Sequence, residues 1–278
     1  MKIPSKKLSN GFSLPVYGLG TWLMGGSFSA EKNDDKRNVN SIKTAIELGV
    51  THIDTAEIYG KGHTEELVGL SIKSFQRSSL TITTKVWSDN LKYNDIIAAC
   101  QRSLNRLQTS YIDLYLIHHP SNTIPLEESM LAMDYLKKKA LIKDIGVSNF
   151  TVDLFKKAQL LSSNKICVNQ IHYNIANREH QDMVSYAQQN DILITAYRPL
   201  EKGFLLDKDI SELQVLSKKY NKTPAQIALN WLICKKNIVL IAKTVNIKHL
   251  QENIGALIWK LEEKDIEMLD RLNLTSIT

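Results

Sequence analysis

Apolar residues along this 278-residue chain fall into short runs that alternate with longer stretches of helical period. Eight runs, at 16–20, 52–55, 80–86, 113–118, 144–148, 166–172, 193–197 and 238–243, are rich in Val, Ile, Leu and Tyr. Such short, largely apolar runs are what strands buried on both faces require. Between them, apolar residues recur every three or four positions, which predicts helices at 39–48, 65–76, 94–107, 126–140, 152–161, 181–189 and 223–235. Thr223-Pro224 opens the last of these, since Pro at the first helical position gives up no needed N–H. Eight strands, each followed by a helix, predict an α/β protein built as a closed (β/α)8 barrel. Ahead of the first strand, KKL and FSLPV flank Ser9-Asn10-Gly11 and read as an N-terminal β-hairpin, with Asn-Gly supplying positive φ angles. Two extra C-terminal helices are predicted at 248–256 and 262–272, and the polar run 25–37 and the stretch after Pro199 read as surface loops. No linker interrupts the pattern, so residues 1–278 are expected to form one domain.

Four of the predicted strands end on polar groups: HID at Asp54, ITTK at Lys85, LYLIH at His118 and IGVSN at Ser148 and Asn149. Tyr59 follows Asp54 by five residues. In a parallel barrel the carboxyl ends of all strands converge on one mouth, where distant residues become neighbours. Each residue alone has an ordinary explanation, Asp54 as a turn former or helix cap and Tyr59 as a loop aromatic with a satisfied hydroxyl. Lys85 resists one, because lysine is rarely buried unless paired. Jointly they suit proton delivery. A phenol with a pKa of ~10 is a poor donor at neutral pH. An ammonium ~4 Å away would stabilise the phenolate by ~4 kcal/mol at an effective dielectric of ~20, before desolvation. That predicts a Tyr59 pKa moved toward neutrality. Asp54 would hold the ammonium, and His118 would orient a carbonyl oxygen. The reductant has to come from a cofactor.

With 43% hydrophobic and 23% charged residues, the composition is that of an ordinary globular enzyme. The net charge of +6 is spread over scattered lysine pairs such as Lys6–Lys7 and Lys218–Lys219. No basic stripe interleaved with aromatics emerges, so no nucleic-acid partner is expected. Three widely spaced cysteines without a CxxC pair exclude a disulfide framework or zinc ribbon. The N-terminus lacks the apolar segment of a secretion signal and no stretch is long enough to span a bilayer. The expectation is a cytoplasmic, monomeric protein with no membrane partner.

The runs GLGTW (18–22), HIDTAEIYGKGHTEELVG (52–69), ITTKVW (82–87), DLYLIHHP (113–120), IGVSNF (145–150), VNQIHYN (168–174), TAYRPL (195–200) and the segment from AKT (242–244) to EN (252–253) resemble those of the aldo-keto reductases, in the same order over nearly the whole chain. The resemblance implies a TIM-barrel oxidoreductase that reduces aldehydes or small ketones, including α-dicarbonyls and keto sugars, with NADPH. Tyr59 would be the proton donor, assisted by Lys85 and Asp54, with His118 orienting the carbonyl substrate. It also implies cofactor contacts. Gly20, Thr21, Trp22 and Asp54 would line the nicotinamide site. Ser148, Asn149 and Gln170 would bind its carboxamide, and Tyr197 would stack on the ring. Arg198 and Leu200 would lie over the pyrophosphate. Lys243, Thr244 and Asn246 would receive the 2′-phosphate, with His249, Glu252 and Asn253 at the adenine end. Trp22, Trp87, His118 and His119 would wall the substrate pocket, and no metal is implied.

Three departures stand out. His119 replaces a frequent tryptophan, Arg198 a frequent serine, and His249 an arginine that often supplies fixed charge beside the 2′-phosphate. A neutral imidazole does not supply that charge. NADPH is therefore expected to be preferred, with NADH admissible. Only six residues follow Leu272, which predicts an open pocket without a long lid. Two other functions are weighed. One is a metal-dependent barrel hydrolase, since His52 and Asp54 share a strand face, although no His-x-His pair is present. The other is a non-catalytic dinucleotide-binding regulatory subunit, against which stands the retention of all four catalytic residue types.

Overall fold

The computed structural model describes residues 2–207 and 210–272. The eight strands close into a parallel barrel, bearing out the predicted architecture. A short antiparallel hairpin, β1 (Ser5–Lys7) with β2 (Ser13–Pro15), precedes it. The barrel strands are β3 (Tyr17–Gly20), β4 (His52–Asp54), β5 (Thr81–Val86), β6 (Ile112–Ile117), β7 (Ile142–Ser148), β8 (Ile166–His172), β9 (Leu193–Tyr197) and β10 (Ile238–Ala242). They pair in sequence order, and β10 returns to β3. The helices are α1 (Asp35–Glu47), α2 (His63–Ile72), α3 (Tyr93–Leu107), α4 (Leu126–Lys138), α5 (Val152–Leu161), α6 (Gln181–Gln189), α7 (Phe204–Asp207), α8 (Ser211–Tyr220), α9 (Pro224–Cys234), α10 (Ile247–Ile254) and α11 (Glu263–Asp270). Thr223 caps α9 through a full capping box with Gln226.

Strand side chains alternate between two environments. Ile53, Ile82, Tyr115, Ile145 and Ile194 face outward into the layer shared with the helices. Leu114, Leu116, Val168, Leu193 and Val239 face inward and meet Leu8, Phe12 and Leu14 of the hairpin. The hairpin therefore plugs the amino-terminal end of the barrel with apolar side chains. Further along the same strands the buried groups turn polar, at Asp54, Lys85, Ser148 and Gln170. That gradient leaves one end for packing and the other for chemistry.

Two boundaries differ from expectation. The 25–37 run is only partly a loop, because α1 begins at Asp35 and Gly25 and Gly26 are buried. The stretch after Pro199 contains α8, whose Leu213 and Leu216 pack inward beside Ile210. Among the described residues, no helix is long and apolar enough to cross a membrane.

Candidate active site

Lys85, near the end of β5, is completely buried, and Asp54, which ends β4, is 1% exposed. The Lys85 ammonium donates to Asp54 Oδ1 at 2.6 Å, to the Thr55 carbonyl at 2.7 Å and to the Tyr59 hydroxyl at 3.5 Å. Gln170 Nε2 occupies the other Asp54 oxygen at 2.8 Å. Burial acts to discharge Lys85, but Asp54, with Tyr59, outweighs it and holds the ammonium above its ordinary pKa. Tyr59 reaches this ammonium from a tight turn, Tyr59–Gly62. Gly60 makes that turn possible. Its φ is +56°, and a Cβ there would lie 2.3 Å from the Gly25 carbonyl oxygen.

The expected acidification of Tyr59 is not found. Lys85 does pull the phenol down, but burial pushes it up by more, and Asp54 adds to the rise, so the pKa lies above its usual value. The ammonium is already neutralised by a carboxylate at 2.6 Å, nearer than the phenol at 3.5 Å. Tyr59 thus rests fully protonated, the state a proton donor must start from.

His118 follows the end of β6. Burial, then the Lys85 charge and His119, hold its imidazole well below the ordinary value, so it is neutral. Its Nδ1 is buried without a hydrogen-bond partner. His118 and His119 lie beyond the strand, and their rings stack at 5.2 Å and 17° instead of pointing to opposite faces as strand alternation predicts. Trp87 stands edge-on to both, at 5.2 and 5.6 Å, and Trp22 packs edge-on to Tyr59 at 4.7 Å. Trp22 and His118 thus flank the phenol, and Trp87 and His119 extend the wall on the far side of His118. His52 does not join them. Its Nε2 is bonded to Thr83 Oγ1 at 2.9 Å inside the barrel, and among the described residues no group of His, Cys, Asp and Glu could hold a metal ion.

The expected cofactor contacts follow the same rim. Thr21 is anchored to the Asp54 carbonyl through N and Oγ1. Beside it Gly20 is buried at the end of β3, where an added Cβ would make only ordinary contacts, the nearest at 3.8 Å. Ser148 Oγ donates to the Gln170 carbonyl at 2.9 Å. The Asn149 amide donates to the His118 carbonyl and Ser148 Oγ, both at 3.0 Å, and accepts from the Tyr197 hydroxyl at 3.0 Å. One face of the Tyr197 ring is stacked on His172 at 5.4 Å. Arg198 is exposed and Leu200 half-buried at the start of the following loop. Among the described residues Lys243 has no ion-pair partner, whereas Thr244 Oγ1 accepts from the Asn246 N–H and Asn246 caps α10. His249 is exposed on α10 and Glu252 is half-buried. Asn253 is buried, with its amide 3.4 Å from the Tyr17 hydroxyl. The amide and hydroxyl groups beside Asp54 and the Lys243 ammonium, which has no ion-pair partner among the described residues, fit a nicotinamide dinucleotide phosphate.

Several supports escape sequence reasoning. Glu57 accepts from the Trp87 N–H at 2.7 Å and from Asn90 at 2.9 Å, fixing the pocket wall. Glu201 bonds His172 at 2.6 Å and Asn174 at 2.6 Å, tying the loop after β9 to β8. Phe28, from the supposedly polar loop, packs edge-on to Trp22 at 5.6 Å. An aromatic inside a polar run bordering the GTW segment was the available signal.

Residues 17–274 match the family model described as the Aldo/keto reductase family. The methylglyoxal reductase YeaE of Escherichia coli K12 is 34% identical over 270 residues, covering 95% of this chain and 93% of that protein. The thermostable aldo-keto reductase Tm1743, solved with the inhibitor epalrestat, superposes with a TM-score of 0.93 at 42% identity, covering 96% of this chain and 99% of that one. An aldo-keto reductase of Klebsiella pneumoniae, solved with NADPH, gives a TM-score of 0.88 at 30% identity, covering 99% and 96%. A fold match and a family match that both run through the mouth of the barrel leave one conclusion: this chain belongs to the aldo/keto reductase family.

Proposed function

We propose that the chain reduces small aldehydes and α-dicarbonyls to alcohols, with Tyr59 as the proton donor. Family membership makes it an oxidoreductase acting on carbonyl groups. NADPH, when bound, supplies the hydride. Gly20, Thr21, Ser148, Asn149 and Gln170 would hold its nicotinamide end, and Tyr197 would flank the ring. Lys243 would meet the 2′-phosphate.

The observation that carries the reading is the buried Asp54–Lys85–Tyr59 relay, with its last hydroxyl 3.5 Å from the ammonium and its ring beside His118. A substrate carbonyl oxygen that accepts from both Tyr59 and a neutral His118 is polarised by two donors. As negative charge grows on that oxygen its proton affinity rises above that of the phenol, and the Tyr59 proton crosses. Lys85 then faces a phenolate, which its charge stabilises, while Asp54 keeps the lysine in place. The Trp22, Trp87 and His119 walls give an apolar pocket with one polar edge, which suits compact dicarbonyls or keto sugars. The E. coli relative is itself called a methylglyoxal reductase. The test is Tyr59→Phe, assayed by the loss of reduced-nicotinamide absorbance with methylglyoxal. Turnover should fall by roughly 10²–10⁴-fold while NADPH still quenches tryptophan fluorescence. Turnover close to wild type would remove Tyr59 from the mechanism.

A further inference from the structure

We propose that Arg37, on the first turn of α1, is the second fixed cation of the 2′-phosphate site and sets the preference for NADPH over NADH. The inference rests on the function proposed above. The residues assigned to that phosphate by resemblance all lie on the segment after β10, and most are committed elsewhere. Asn246 Oδ1 caps α10 at Lys248 N, and the Thr244 hydroxyl is bridged to the backbone of Asn246. His249 offers no permanent charge. Lys243 is left alone, although a phosphomonoester carries about two negative charges.

The missing charge stands across a cleft. A space of about 480 Å³ opens between the start of α1 and the 245–247 segment, with Arg37, Lys36, Asn40, Val245 and Ile247 on its walls. Ser41 Oγ donates to the Val245 carbonyl at 3.3 Å, so both walls belong to one surface. Burial lowers the Lys243 pKa, and the nearby Arg37 guanidinium lowers it further against a weaker pull from Asp34. Among the described residues, neither Arg37 nor Lys243 has an ion-pair partner. Arg37 shares this cleft with Val245 and Ile247, which flank the segment carrying Lys243, and a guanidinium there can bond a phosphate bidentately. Asp34 also lines the cleft but is outnumbered by Lys36 and Arg37. Arg37 was passed over in the sequence because it lies in a polar run with no motif around it.

NADPH and NADH share the pyrophosphate and differ only at the 2′-position, so their binding ratio isolates this contact. Dissociation constants for both are measured by tryptophan quenching on wild type, Arg37→Gln and Lys243→Gln. Arg37→Gln should weaken NADPH about tenfold and leave NADH nearly unchanged, and Arg37→Lys should recover part of the loss. Arg37 is exposed and unpaired, so circular dichroism should show an unaltered fold. An unchanged NADPH-to-NADH ratio, or an equal loss of both cofactors, overturns the assignment. A wild-type protein that binds neither dinucleotide overturns the proposed function itself. A ratio that shifts only in Lys243→Gln overturns Arg37 alone.

Discussion

Replacing Lys85 with Met tests the electrostatic core of the site, because it keeps the length and apolar volume of the side chain and deletes only the charge. The ammonium lies 3.5 Å from the Tyr59 oxygen. At an effective dielectric of ~20 its attraction to a phenolate there is about 5 kcal/mol. Asp54, at 2.6 Å from the same nitrogen, repels that phenolate and cancels a good part of the gain. Lys85→Met leaves that repulsion in place, so the full ~5 kcal/mol, on the order of 10³-fold in turnover, is what removal of the ammonium alone should cost. The smaller net value is the cost of removing both charges. The interaction exists only once the proton has left, so the loss should fall on kcat, with NADPH binding held near wild type. Folding suffers as well. Among the described residues, Asp54 is left buried with only Gln170 as a side-chain donor, and breaking a buried pair typically costs about 3–5 kcal/mol. Lys85→Met/Asp54→Asn should therefore regain stability over Lys85→Met and, with the repulsion also gone, part but not all of the activity. Turnover and urea unfolding on the three proteins decide it. A well-folded Lys85→Met enzyme with wild-type kcat would refute the role given to the ammonium.

Further tests probe the supports around this pair. Burial lowers the His52 pKa from 6.5 to about 4, with Asp54 opposing and Lys85 reinforcing. Because the folded ring resists protonation, its contribution is complete above 6.5 and is lost as pH falls toward about 4. That loss amounts to about 3 kcal/mol. Urea unfolding of His52→Gln across this window should show a shallower decline than wild type, and an equally steep one would contradict the assignment. Gly60→Ala places a Cβ 2.3 Å from the Gly25 carbonyl oxygen at φ +56°. It should cost about 1–3 kcal/mol and depress kcat by moving Tyr59, whereas unaltered turnover and melting temperature would show that the turn tolerates the side chain.

How much of this was legible in the sequence follows from where the information sits. Asp54, Lys85 and Ser148 could be found because each ends an apolar run, and the closed barrel gathers such ends at one mouth. The α8 helix was missed because Val215, exposed beside the buried Leu213 and Leu216, blurs the apolar stripe of a helix only ten residues long. The stacking of His118 on His119 is not legible from strand periodicity, because alternation applies inside a strand and β6 stops at Ile117. Glu57 and Glu201 act through hydrogen bonds with residues 27 to 33 positions away, and Arg37 shares a cleft with Val245 and Ile247, more than 200 positions away. No local pattern announces such partners.

The balance at Tyr59 lies deeper than any of these, since it is a difference between two large opposing effects. A motif reveals that an ammonium is present, but not that a carboxylate 2.6 Å away has already spent its charge, nor that burial raises the phenol by more than the ammonium lowers it. The outcome, a proton held more tightly than usual, changes what the relay accomplishes. An acidified phenol would be partly ionised at rest and would waste a fraction of the enzyme at alkaline pH. A phenol kept neutral by burial stays loaded, and the Lys85 charge matters only after transfer, when the phenolate is the species that needs it. The alkaline limb of kcat/KM should accordingly lie above the ordinary phenol range of ~10, not below it. A limb nearer neutrality would show that in the working enzyme the ammonium prevails over burial after all.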